Sequence, residues 1–339
     1  MNFAPSEEQA MVCDMLRRFL SDRGESAGLA HGPMPKADWL ALGELGLFAF
    51  LLPESMGGMG GAAKDVMLAA EAFGTALAIT PLAQGVVMAG ALIGAGASGE
   101  SAGHWGEAIA SGEATFGYAQ GGRRQDRRVT GKIGLVRDGM TASGFLLQLE
   151  SGELALIEAD APGVQRTPVR LADGSLAANL EVGDAKAEFL SHASGDFERA
   201  HALAGIAASA ELVGTMETLL GLTVDYVRQR LQFGKPIGSF QVIQHRCARL
   251  YISLEQARSL LLRAALSDAG QFVRNSAMAS AFIAEAAQGL AEDAVQLHGG
   301  MGVTDELAVG RALRRVLVLT RSDGGAATGW DRLALQDAA

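Results

Sequence analysis

The stretch Arg228–His245 reads RQRLQFGKPIGSFQVIQH, and it divides into the end of one helix, a break and the start of another. Upstream of it Leu212, Val213, Met216, Leu219, Leu220, Val224 and Val227 recur at helical spacing and give one apolar face, which puts Arg230 in the last turn of a long helix. Gly234, Pro236 and Gly238 end that helix, because they lack a β-carbon or an N–H, and Ser239 is the N-cap from which the next one starts. A guanidinium fixed at such a corner can pair bidentately with a pyrophosphate, while Phe233 packs on an adenine and Gln232 hydrogen-bonds beside it. The same residues also fit a plainer use, with Arg230 capping the last carbonyls and Phe233 serving as a core aromatic.

Working outward, the spacing from Pro5 to about Gly112 is helical, with Met11, Met15, Leu16 and Phe19 on one face and Trp39, Leu42, Leu45 and Leu47 on another. Between Thr115 and Leu190 short apolar runs at Phe145–Leu149, Leu154–Ile157 and Leu176–Val182 are separated by Asp138-Gly139, Ser151-Gly152, Asp173-Gly174 and Gly183-Asp184. Turn pairs between short runs predict antiparallel strands. Helical patterns return over roughly 200–230, 239–267, 270–297 and 305–320, and four helices with short connections predict a bundle. The fold class is therefore mainly α with a small β domain. An N-terminal helical domain spans 1–114, an antiparallel barrel-like β domain 115–195, and a C-terminal four-helix bundle 196–339. The many Ala and Gly residues read as close helix packing.

Composition excludes several functions. At 339 residues and 49% hydrophobic content the chain can bury well-formed cores. Its formal net charge of −10 offers no basic footprint for nucleic acid or an anionic membrane, and Arg123, Arg124, Arg127 and Arg128 read as a local solvated loop. Cys13 and Cys247 stand far apart, which argues against a disulfide scaffold or zinc site and suits a reducing cytoplasm. The six histidines are scattered with no i, i+4 pair, so no metal site is expected. Ser6, Glu7 and Glu8 read as the start of a helix rather than a signal peptide, and apolar stretches such as Val86–Ala97 fall short of the roughly 18 residues of a membrane span. Gly94, Gly96 and Gly99 satisfy G-x-G-x-x-G, but no strand pattern precedes them and no acidic residue follows at ribose-contact spacing, so they read as a helix-end loop.

RLQFGKPIGSFQ resembles the R-x-Q-F-G-x-P-I-x-x-F-Q signature of acyl-CoA dehydrogenases. QLHGGMGVTDELAVGRALRR, Gln296–Arg315, is similar to the family's Q-x-x-G-G-x-G-x-x-x-E segment, and LPESMGGMG, Leu52–Gly60, to its P-E-x-x-G-G-x-G turn, where Gly57, Gly58, Gly60 and Gly61 would be structural. The resemblance implies FAD as cofactor. Arg230, Gln232, Phe233, Gln241, Gln296, Gly299 and Gly300 would contact its ADP half across a subunit interface, and His245 and His298 adjoin these motifs as either cofactor contacts or interface residues. It also implies α,β-dehydrogenation of an acyl-CoA to the trans-2-enoyl-CoA, a homodimer or homotetramer, and electron-transfer flavoprotein as electron acceptor.

The chain departs from the family on the other half of that site. The position of the basic Glu in the family's Y-E-G-T string is Asp323, within RSDGGA. The family's alternative base position falls near Ala204, with Glu198 and Glu211 out of register. Neither the T-E-x-x-x-G-S-D string nor the W-I-T-N string that usually line the flavin is present. The pattern resembles the small subunit of heteromeric acyl-CoA dehydrogenases acting on pimeloyl-CoA or steroid side-chain thioesters, in which a larger partner supplies the working site. Two alternatives stand beside it: a self-sufficient homo-oligomer with Asp323 as base, and a structural subunit without FAD.

Overall fold

Ser6 starts the first helix as its residue type predicts, its Oγ accepting the Gln9 N–H at 3.1 Å while Gln9 Oε1 accepts the Ser6 N–H at 2.9 Å. The computed structural model describes residues 4–23, 32–193, 195–304, 306–321, 330 and 333. Its helices are α1 (Glu7–Asp22), α2 (Lys36–Glu44), α3 (Leu47–Leu51), α4 (Ala63–Thr75), α5 (Ala89–Gly96), α6 (Gly99–Ala110), α7 (Asp196–Gln229), α8 (Gln241–Ala265), α9 (Phe272–His298) and α10 (Ala308–Arg321). The strands are β1 (Phe116–Gln120), β2 (Arg123–Gln125), β3 (Arg128–Val136), β4 (Gly144–Gln148), β5 (Leu154–Glu158), β6 (Val164–Arg170), β7 (Leu176–Lys186), β8 (Glu188–Leu190), β9 (Leu231–Gln232) and β10 (Lys235–Pro236). Two compact units result, one of Met34–Val66 and Thr80–Ala204, the other of Met1–Pro33, Met67–Ile79 and Gly205–Ala339. Two of the four boundaries between them fall inside helices, Val66/Met67 in α4 and Ala204/Gly205 in α7.

The first unit holds two four-stranded sheets, ordered β1-β4-β5-β8 and β2-β3-β7-β6. Val129, Ile133, Phe145, Leu147, Ile157 and Leu180, drawn from both sheets, form one buried cluster. Strands β4 and β5 are buried on both faces over most of their length and so read as continuous apolar runs, while β7 mixes buried and exposed positions. The pairings are antiparallel as expected except β1 with β4, which run parallel with Phe116 opposite Gly144. The chain leaves β1 to make β2 and β3 in the other sheet before returning as β4, so no tight hairpin joins the two. Gly183-Asp184 is not a turn between strands. It lies within β7, where the pairing with β3 shifts register between Val129 and Gly131, and Asp184 takes a φ of 58°.

The glycine turn before α4 is structural, as read: β-carbons on Gly58 and Gly61 would stand 2.3 and 2.5 Å from the carbonyl oxygens of Leu52 and Phe50. Gly94 and Gly96 lie within α5 and Gly99 starts α6, so the G-x-G-x-x-G string spans two helices and no strand leads into it.

In the second unit α4 and α7 cross at very close range. A β-carbon on Gly74 would sit 2.0 Å from the Glu211 carbonyl oxygen, and one on Gly214 2.2 Å from that of Glu71. The face of α7 read from the sequence is the buried one: Val213, Met216 and Leu219 are fully buried. Each such side chain removed from water contributes about 1.5–3 kcal/mol. One window of α7 reaches a mean hydropathy of 1.3, enough by length and composition to cross a membrane, which the shorter apolar runs noted in the sequence do not. That window is 72% buried inside the protein, as in a core helix.

Candidate functional site

Helix α7 ends at Gln229, and the Arg230 N–H still donates to the Tyr226 carbonyl at 2.8 Å. The next residues turn back on themselves. Leu231–Gln232 pairs with Lys235–Pro236, and the two residues between, Phe233 and Gly234, have φ of 53° and 80°. Positive φ at both central positions is the geometry of a two-residue hairpin turn, and Gly accepts it where Phe is strained by about 1–2 kcal/mol. Ile237 N–H closes the hairpin onto the Arg230 carbonyl at 2.9 Å.

The plainer uses of Arg230 and Phe233 do not hold. Phe233 is 91% exposed, so it is no core aromatic. The Arg230 side chain is exposed and caps no carbonyl of α7 among the described residues. Phe233 meets Phe240 edge-on at 6.2 Å, and Lys235 Nζ lies over the Phe240 ring at 4.3 Å. Ser239 is not the N-cap of α8. Its Oγ donates to the Pro236 carbonyl at 2.8 Å, within a single helical turn over Ile237–Ser239, and Phe240 takes the cap position without a side-chain bond. Gln232 and Gln241 are exposed, the latter as the first residue of α8.

A second loop reaches the same end of the unit because α7 and α9 are tied there. Tyr226 stacks on His298 at 4.3 Å and 26°, and its hydroxyl donates to the His298 carbonyl at 3.3 Å. His298 is buried, and since only its protonated nitrogen can meet a carbonyl, Nδ1–H donates to Ala294 O at 2.8 Å. That is a structural role, whereas His245 is exposed on α8. Gln296 is exposed in the last turn of α9. Of the glycines that follow, Gly302 is fixed by packing, with its would-be β-carbon 2.6 Å from Val295 O, while Gly299 and Gly300 face open space and Gly299 takes a φ of 63°. The Gly299 N–H donates to the Gln296 carbonyl, but no side chain stands over the backbone of Gly299 and Gly300, and that approachable backbone, with an exposed guanidinium and an outward-facing aromatic in the same unit, fits the adenine and pyrophosphate of a dinucleotide.

The candidates for a base are placed differently. Asp323 lies outside the described residues. Ala204 is buried and Glu198 exposed, while Glu211 is buried and accepts from Arg315 Nε at 2.6 Å. Paired in this way, Glu211 has a structural role. Burial pushes the Cys247 thiol pKa up, away from the reactive thiolate.

Two groupings escaped the sequence reading. Tyr226 lies one turn before Arg230, and that spacing is the only signal for the stack on His298. The other joins β1, β4 and the start of α7: Tyr118 O–H donates to Gln148 Oε1 at 3.1 Å, so His201 Nε2, 3.2 Å from the same hydroxyl oxygen, is the donor to it. Phe197 packs against the His201 ring at 4.7 Å. Nothing in the spacing of residues 118, 148 and 201 announces this.

Residues 201–334 match the family model described as acyl-CoA dehydrogenase, C-terminal domain, and residues 6–113 the one described as acyl-CoA dehydrogenase, N-terminal domain. Acyl-CoA dehydrogenase FadE34 of Mycobacterium tuberculosis is 33% identical over 282 residues, covering 81% of this chain but only 38% of that protein's length. Probable acyl-CoA dehydrogenase YngJ of Bacillus subtilis is 28% identical, with 96% of each chain covered. Among solved structures, the ChsE4-ChsE5 complex from Mycobacterium tuberculosis superposes with a TM-score of 0.90 at 27% identity, covering 100% of this chain and 99% of its counterpart.

Proposed function

The chain belongs to the acyl-CoA dehydrogenase family, and from that premise we propose that it is the FAD-clamping subunit of a heteromeric enzyme that converts an acyl-CoA to its trans-2-enoyl-CoA. The observation that carries this reading is the hairpin at Phe233-Gly234, an exposed and strained aromatic beside an exposed Arg230. Arg230 holds the pyrophosphate, Phe233 packs on the adenine with Gln232 and Gln241 beside it, and the backbone at Gly299 and Gly300, with Gln296, completes the clamp. The bound FAD supplies the hydride acceptor. The base that removes the α-proton comes from a larger partner subunit, because the chain's own Asp323 is one methylene shorter than Glu and stands outside the family's string. The likeness to one chain of the ChsE4-ChsE5 complex supports the heteromer. Electron-transfer flavoprotein then takes the electrons.

Counting FAD per chain tests this. The chain purified alone carries little flavin and a full complement appears with the larger partner, whereas a yellow homo-oligomer with one FAD per chain hands the function to the self-sufficient alternative. In the assembled enzyme Arg230→Ala weakens FAD retention by about 1.5–3 kcal/mol, the range for a hydrogen bond to a charged group, with the melting temperature unchanged. Equal affinity in an FAD titration removes Arg230 from the clamp.

A further inference from the structure

The clamp has two arms, the chain end of α7 at Arg230 and the backbone of Gly299 and Gly300, and glycine does not by itself give the second arm a shape. Gly299 takes a φ of 63° and a ψ of −145° at the end of α9, and a β-carbon on it or on Gly300 would meet nothing within 4 Å. A glycine with open space around it populates several conformations, so a ligand that needs one of them has to order it on binding. The peptide between His298 and Gly299, which leads into this stretch, is held at both ends. Its N–H, on Gly299, donates to the Gln296 carbonyl. Its carbonyl, on His298, accepts from the Tyr226 hydroxyl at 3.3 Å, and the Tyr226 ring lies over the His298 ring at 4.3 Å with 26° between the planes. Tyr226 belongs to α7, and its own carbonyl accepts the Arg230 N–H at 2.8 Å. One residue thus bonds to the backbone of both arms, through its main chain to Arg230 and through its side chain to the peptide before Gly299.

We propose that Tyr226 is a positioning residue for FAD, whose hydroxyl sets the Gly299–Gly300 backbone relative to Arg230 so that both arms meet the ADP half of the cofactor already in place. The proposal rests on the FAD-clamp reading above. A loop held in its bound shape loses less conformational freedom when the ligand arrives, and the gain appears as affinity. It appears only while both arms hold the same ligand. With the Arg230 side chain gone, the placement of one arm relative to the other no longer matters, and the hydroxyl loses most of its effect. A residue that merely supports the fold shows no such dependence, because independent contributions add. Phenylalanine keeps the ring that stacks on His298 and removes only the bond to its carbonyl, so it isolates the part of Tyr226 that the proposal uses.

A double-mutant cycle reads that dependence. The assembled enzyme is titrated with FAD and followed by flavin fluorescence as wild type, Tyr226→Phe, Arg230→Ala and the double variant. Tyr226→Phe weakens FAD binding about fivefold when Arg230 is present, the scale of one hydrogen bond between neutral groups, and less than about twofold in the Arg230→Ala background. The same factor in both backgrounds makes Tyr226 a residue of the fold alone and overturns the proposal. So does wild-type affinity in Tyr226→Phe alongside weakened binding in Arg230→Ala, which leaves the clamp standing without its positioning residue. Wild-type affinity in Arg230→Ala removes the clamp itself and the proposal with it, a result that the other two outcomes cannot be mistaken for.

Discussion

A β-carbon on Gly74 or Gly214 would collide with a helix backbone at 2.0 or 2.2 Å, whereas one on Gly299 or Gly300 would meet nothing within 4 Å. At the α4–α7 crossing glycine is there because two backbones need the space, and the charge buried beside it is paired, Glu211 with Arg315. At the far end of the same unit glycine leaves backbone open to the outside, and Phe233 keeps a strained φ while 91% exposed. Inside the chain the Phe233 ring meets only the edge-on Phe240 ring among the described residues. The contacts at the crossing all lie within one chain, whereas at the hairpin end an aromatic ring and glycine backbone face outward.

The largest effect expected is at the crossing. Glu211→Leu leaves the buried Arg315 guanidinium without its carboxylate and costs about 3–5 kcal/mol in urea unfolding, while Glu211→Leu with Arg315→Met regains most of it. A double variant as unstable as the single would show that packing, not charge, sets the cost. Gly214→Ala forces the helices apart and costs about 1–3 kcal/mol. A melting temperature equal to wild type would break the contrast with Gly300→Ala, which is expected to be silent for stability.

At the hairpin the signs diverge. Phe233→Asn suits a left-handed turn position better and raises stability by about 1 kcal/mol, while FAD retention falls because the aromatic is gone. If both fall together, Phe233 supports the fold as well as the ligand. The smallest effect concerns Glu71, whose carboxyl pKa is raised by burial first, with Glu217 adding to it and Arg258 opposing. A raised folded-state pKa means that the stability Glu71 contributes is full below its unfolded value and is lost as pH rises through the folded one. Glu71→Gln should therefore be slightly more stable than wild type at neutral pH and level with it in acid, with Arg258 still held by Glu217 at 3.0 Å and Glu255 at 3.1 Å. A variant less stable at neutral pH would mean that the attraction of Arg258 outweighs the cost of burying the Glu71 carboxylate.

What the sequence made legible was local. Met216 and Leu219 belong to a repeat that only a helix satisfies, so the helices of the second unit fall close to their expected places. The Arg230–Gln241 string lies within a dozen residues and needs no tertiary knowledge to be seen. Exposure was harder: Phe233 has a side chain that usually goes inside, and only the backbone geometry of the turn shows it facing out. Ser239 has the right residue type for a cap, but it ends the turn Ile237–Ser239, one residue before the cap position of α8, and its hydroxyl donates back to the Pro236 carbonyl. Glu211–Arg315 and the parallel pairing of β1 with β4 join residues far apart in the chain, where no spacing rule applies. Asp323 falls outside the described residues.

One segment, Met67–Ile79, belongs to the same compact unit as everything from Gly205 onward. On the ribosome it emerges roughly 130 residues before the part of the unit that begins at Gly205, a wait of about 6–26 s at about 5–20 residues per second. Through that interval Met67, Ala70 and Phe73, all buried in the finished protein, lack the helices from Gly205 onward. Slowing synthesis between α4 and α7 should therefore cost yield more than slowing it anywhere after α9.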